Sequence, residues 1–134
     1  MKLKKQIAFV MTTFTLLLAG CKSDNSTQPE NGKYFTVKVG NEQFVMFVTD
    51  PVTIQLAVDN YQGKNQKFPI GRIAGGDGGF NRPWDWHFVP ETVHMVDVAI
   101  EVCDGTPSYV NSHPNDFLAV GYCPWTAKVV KVGR

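Results

Sequence analysis

Apolar residues alternate with polar ones from Tyr34 to Val39, at Phe35, Val37 and Val39, and again from Gln43 to Val48, at Phe44, Met46 and Val48. A period of two puts each set on one face of a strand, and Gly40-Asn41 between them predicts a β-hairpin. Asp50-Pro51 opens a helix, because Thr49 or Asp50 can accept a first-turn N–H and proline suits that turn. Ile54, Ala57, Val58 and Tyr61 form its apolar stripe, and Gly63 is placed to end it. Phe68 to Ile73 predicts a strand whose Pro69 belongs at an edge. The run Gly75-Gly76-Asp77-Gly78-Gly79 predicts a loop, since glycine loses too much backbone entropy to hold a regular element. Trp84, Trp86 and Phe88 then alternate with Asp85 and His87, and Val96, Val98, Ile100 and Val102 with Asp97, Ala99, Glu101 and Cys103. Both runs predict strands, the second favoured by four β-branched residues. Thr106-Pro107 starts a helical turn that Pro114 interrupts or restarts, and Trp125 to Val132 predicts a last strand. The expected fold class is α+β, a mostly antiparallel sheet of about six strands with one or two short helices.

The N-terminal pattern is different. Met1-Lys2-Leu3-Lys4-Lys5 is positively charged, and Ile7 to Leu18 is an apolar run too short and wrongly flanked for a transmembrane helix. It closes on Leu18-Ala19-Gly20-Cys21, which resembles the lipobox of bacterial lipoproteins. The resemblance implies that residues 1–20 are a cleaved signal peptide and that Cys21 becomes a lipidated N-terminus. Each buried methylene contributes about 0.8 kcal/mol, so two or more acyl chains hold a protein on a membrane where one does not. Lys22 to Gly32 has no apolar side chain and reads as a solvated tether. The expected organisation is signal peptide 1–20, lipidated cysteine and tether 21–33, and one globular domain 34–134. Its expected place is the bacterial cell envelope, facing the periplasm or the exterior.

The whole chain has 13 basic and 12 acidic residues, a formal charge of +1. Loss of Lys2, Lys4 and Lys5 makes the remainder slightly acidic, which argues against nucleic-acid binding, since phosphates call for clustered Lys and Arg. With Cys21 lipidated, Cys103 and Cys123 remain in an oxidising compartment, and a disulfide between them is the natural reading. Closing a loop of roughly twenty residues stabilises by about 3 kcal/mol. Two cysteines without a C-x-x-C spacing make a weak metal signal.

The residues that can carry chemistry are Arg72, Asp77, Trp84, Asp85, Trp86, His87, Glu101, Asp104 and Trp125. If the strands bearing Asp85/His87 and Glu101/Cys103 are neighbours, a carboxylate meets an imidazole, as acid–base catalysis requires. Otherwise His87 is a structural histidine, and Glu101 is either solvated or paired with Arg72, His87 or Lys128. Asp77, Asp85 and Asp104 are oxygen donors for calcium, but no EF-hand spacing is present. No Gly-x-Ser-x-Gly elbow or phosphate loop occurs. His94 and His113 share no ligand spacing. Trp84, Trp86 and Trp125 suit either a binding face for a sugar or peptide, or the core.

Phe44-Val45, Thr49-Asp50-Pro51, Gly71-Arg72-Ile73, Trp84-Asp85-Trp86-His87, Ala99-Ile100-Glu101-Val102-Cys103-Asp104 and Cys123-Pro124-Trp125 occur in an order that resembles a known small domain. It is similar to the calmodulin-binding-protein-like family of actinobacteria and of the N-terminus of a slime-mould binding protein, from Tyr34 to Val130. The resemblance carries no catalytic residues. Its name implies calmodulin binding, usually the work of a basic amphipathic helix, whereas Ile54 to Tyr61 is neutral to acidic. The expectation is a lipid-anchored, non-catalytic binding module with its site at Arg72, Asp85, Trp86, His87, Glu101 and Asp104, and no metal or other cofactor. Its partners would be the membrane through Cys21 and a small molecule or envelope protein. The rivals are a small hydrolase using His87 with Glu101 or Asp104, and a purely structural envelope lipoprotein.

Overall fold

The computed structural model describes residues 31–134; the expected signal peptide, Cys21 and most of the tether lie outside the described residues. The first two alternating runs form β1 (Lys33–Val39) and β2 (Glu42–Val48), antiparallel, with Phe35 opposite Met46 and Val37 opposite Phe44. Gly40 opens their two-residue turn at φ 60°, the positive torsion that matches strand twist. The last strand, β7 (Lys128–Val132), adds to the other edge of β1 with Lys38 opposite Lys128, giving the order β2-β1-β7. It is shorter than expected. Ala127 N–H donates to Pro124 O at 3.1 Å, and this turn leaves Trp125 outside the sheet.

Helix α1 (Pro51–Tyr61) is capped by Asp50, whose carboxylate accepts the Thr53 N–H at 2.8 Å and the Thr53 hydroxyl at 2.7 Å. Its buried face is rotated from the expected stripe: Thr53, Ala57 and Asn60 are buried and Tyr61 is exposed. Asn60 explains the rotation. Its Nδ2 donates to Lys67 O at 2.8 Å and to Asn65 O at 3.2 Å, and its Oδ1 accepts the Val129 N–H at 2.9 Å. One amide thus ties the helix to β7 and to the following loop. Four hydrogen-bonding sites on Asn make this possible, and each bond offsets the cost of burying it.

The expected strand from Phe68 to Ile73 is two strands, β3 (Phe68–Ile70) and β4 (Ile73–Gly75), broken where Gly71 exchanges hydrogen bonds with Tyr122 instead. β5 (Trp86–Phe88) pairs with β4, and β6 (His94–Val96) pairs with β3. The sheet is therefore three small antiparallel sheets of seven strands in all. Pro114 restarts rather than interrupts, so α2 (Pro107–Ser112) and α3 (Pro114–Val120) bring the helices to three, where one or two were expected.

The expected strand from Val96 to Val102 ends at Val96, and Glu101–Cys103 is a 3₁₀ turn. The cause is covalent. Cys103 is bonded to Cys123, both buried, so the side of the segment bearing Ala99 and Cys103 turns inward. Val98, Ile100 and Val102 then point out, 82%, 64% and 63% exposed. Beneath them the core is aromatic: Phe44, Trp86, Phe88, Phe117 and Tyr122 meet with ring centroids 5.2–6.1 Å apart. Asn81, fully buried, joins β2 to β5 by accepting the Val45 N–H at 2.8 Å and donating to Trp86 O at 2.7 Å.

Candidate functional site

The six residues singled out as a binding set do not form one site. Trp86 is 1% exposed, its indole N–H bonded to Pro107 O at 3.2 Å, so it belongs to the core and has no free face for a ligand. His87 stands opposite Ala74 on β5, its Nδ1 2.7 Å from Gly76 O and its ring edge-on to Phe80. A carbonyl only accepts, so Nδ1 carries the proton and the neutral ring offers Nε2. The strand beside His87 is β4; among the described residues no hydrogen bond or ion pair joins His87 to Glu101 or Asp104, because Glu101 sits in the turn before the disulfide. The close neighbour of His87 is Gly78, at φ 63°, where an added Cβ would lie 2.7 Å from the ring.

Arg72 and Asp85 are exposed. The backbone of Arg72 is held by Thr92 Oγ1 and Val89, and that of Asp85 by Asn111 Oδ1 and Gly76. Asp77 closes its own loop, accepting the Gly79 N–H at 2.8 Å and Arg82 Nε at 2.9 Å, and these bonds hold its carboxyl below the usual carboxylate range. Among the described residues no group of three or more His, Cys, Asp or Glu is placed to hold a metal ion, and no helix is long and apolar enough to cross a membrane.

Asp104 keeps a role near a surface feature. Its Oδ1 accepts the N–H of Gly105 and the N–H of Trp125, both at 2.9 Å. Cys123 N–H donates to Cys103 O at 2.7 Å alongside the disulfide, so Trp125 is fixed on a covalently braced frame. Its side chain, 39% exposed, stands between two clefts. One, of about 400 Å³, runs past Gly63, Gln66, Thr126 and Lys128. Asn60 and Asn65 also line it, but their amides are spent: Asn65 Nδ2 donates to Leu56 O and its Oδ1 accepts the Lys67 N–H. The other, of about 180 Å³, is bounded by Phe68, Asp97, Val98, Ala99 and Trp125, and is the more apolar. A third cleft, of about 410 Å³, carries Arg82, Lys131 and Arg134 on the far side of the sheet end.

None of the six expected residues lines any of these clefts. Phe68, Val98 and Trp125 were legible as apolar positions, yet strand alternation alone gives no reason to turn Val98 outward. The available signal was Cys103, five residues on, whose disulfide commits the other side of the segment to the interior. No curated protein and no solved structure matches the chain. A family model does, over residues 31–134, which takes in every strand, helix and cleft described above; the chain belongs to the BP-74 N-terminal domain family.

Proposed function

We propose that this chain is a lipid-anchored lipoprotein of the bacterial envelope whose domain is a non-catalytic binding module, with its site at Trp125. The observation that carries this reading is a partly exposed tryptophan, braced by Asp104 and a disulfide, between two clefts. A rigid aromatic beside an apolar pocket is how small domains hold ligands without chemistry. The site also lies at the useful end of the molecule. β1 begins with Lys33, where the tether joins, and Trp125 precedes the β7 residue that pairs with Lys38 at the other end of β1, about 20 Å away. A tether from Cys21 to Lys33 reaches at most about 40 Å, so the site faces away from the anchoring membrane.

The likeness to calmodulin-binding-protein-like domains supports a binding role in general. α1 has no basic residue, so capture of this domain's helix by a calmodulin groove is not the mode we assign. A hydrolase built on His87 has less support, since neither Glu101 nor Asp104 reaches it. The test is a titration of the full chain in detergent with two probe sets, a random heptapeptide library and peptidoglycan fragments. Binding that Trp125→Ala weakens about tenfold or more, while His87→Ala leaves it unchanged, is the expected result. Turnover of a probe that His87→Ala abolishes would establish the enzyme, and silence of both probe sets the structural lipoprotein.

A further inference from the structure

Resting on that binding reading, we propose that Asp97–Val102 takes up an extended basic peptide by strand addition, seating one of its apolar side chains in the pocket between Phe68 and Trp125. The segment is a strand by sequence and has no strand partner. It continues directly from β6, Ile100 has extended torsions (φ −78°, ψ 152°), and no backbone hydrogen bond joins Val98 or Ala99 to the rest of the described residues. Free N–H and C=O groups on an extended, β-branched segment form a template for an incoming strand. Val98, Ile100 and Val102 stand out from it as an apolar row, a surface that a soluble domain otherwise covers. Beside Val98 the apolar cleft of about 180 Å³ accepts an aliphatic or aromatic side chain.

Charge selects the occupant. Interleaved with the apolar row are Asp97, which holds Lys67, and Glu101, which is exposed and has no ion-pair partner among the described residues; Asp104 follows. A lysine or arginine on the incoming strand would face Glu101. The chain's own tether cannot fill the row, since residues 22–32 contain no apolar side chain. A second copy pairing antiparallel about Ala99 sets Asp97 against Glu101, acid against acid. A lipid surface would have to desolvate the same carboxylates, and anionic headgroups repel them.

The experiment is fluorescence anisotropy of a labelled peptide alternating valine and lysine, titrated with the full chain in detergent. The expected result is saturable binding, weakened about tenfold or more by Val98→Asp and by Glu101→Lys, and recovered for Glu101→Lys when the peptide's lysines are replaced by glutamate. Both positions are exposed, so an unchanged melting temperature will show that the variants are folded. If Trp125→Ala abolishes binding while Val98→Asp and Glu101→Lys do not, strand addition is wrong and the Trp125 module stands. If this peptide and the probes above all fail to bind, both fall. A dimer of the full chain, or adsorption to phosphatidylglycerol vesicles, that Val98→Asp removes in the absence of peptide binding would overturn the proposal in favour of a second copy or of lipid.

Discussion

Asn60 and Asn81 act as polar rivets in an otherwise apolar interior. Asn60 satisfies the Val129 N–H and the Lys67 carbonyl together, so Asn60→Leu orphans a buried donor and a buried acceptor while adding the shape of an apolar residue. The expected loss is about 2–4 kcal/mol, read by urea unfolding. Sequence periodicity offered no warning, because a buried Asn scores as polar and shifts the apparent stripe of α1 toward Tyr61. Gly121 is a second point of the same scale. It sits at φ 86°, and an added Cβ would lie 2.7 Å from Gly71 O, where the backbone of α3's exit meets the β3–β4 break. Gly121→Ala is expected to destabilise by about 2 kcal/mol or more, since backbone atoms cannot move aside as a side chain can. Glu101→Gln, at an exposed position, is expected to change stability by less than about 0.5 kcal/mol.

Among the elements, α1 owes its start to one carboxylate. The Thr53 hydroxyl, then the Thr53 N–H, hold the Asp50 carboxyl below its ordinary 3.8. A folded-state value below the unfolded one means that the stabilisation is fully present above the unfolded value and is lost as pH falls through the folded one. Asp77 behaves alike in the glycine loop. Melting temperature followed from about pH 6 down to about pH 2 should therefore fall less for Asp50→Asn than for the wild type, because the amide keeps an acceptor but does not titrate. The disulfide is the other element-scale device: reduction, or a Cys103→Ser/Cys123→Ser pair, is expected to lower unfolding free energy by about 3 kcal/mol for a separation of 20 residues. The same change should raise hydrogen exchange in 97–104 and around Trp125, whose frame it loosens.

At the scale of the whole molecule, the two ends of β1 divide the work, tether at Lys33 and clefts beyond Lys38. A domain of this size gains its position from the anchor and its specificity from the far end, so the two should be separable. Metabolic labelling with an alkyne fatty acid is expected to mark the wild-type chain, shortened by its leader, while Cys21→Ala carries no label and keeps the leader. An unlabelled wild-type chain would make Cys21 an ordinary thiol after a secretory cut.

What sequence alone determined is local or compositional. The β1–β2 register follows from a two-residue alternation and a glycine turn, the α1 start from Asp50-Pro51, and the α+β class from short strands mixed with proline-led helices. The Cys103–Cys123 pairing followed from counting thiols. Each depends on residues near in sequence or on the absence of any other choice. Tertiary structure decided which way the alternating segments face. Trp86 alternates no differently from Val98, yet Trp86 closes over Phe44 and Tyr122 while Val98 stands in solvent. Period two separates two faces without saying which is inside; contacts distant in sequence, here a disulfide and the buried amides of Asn60 and Asn81, make that choice.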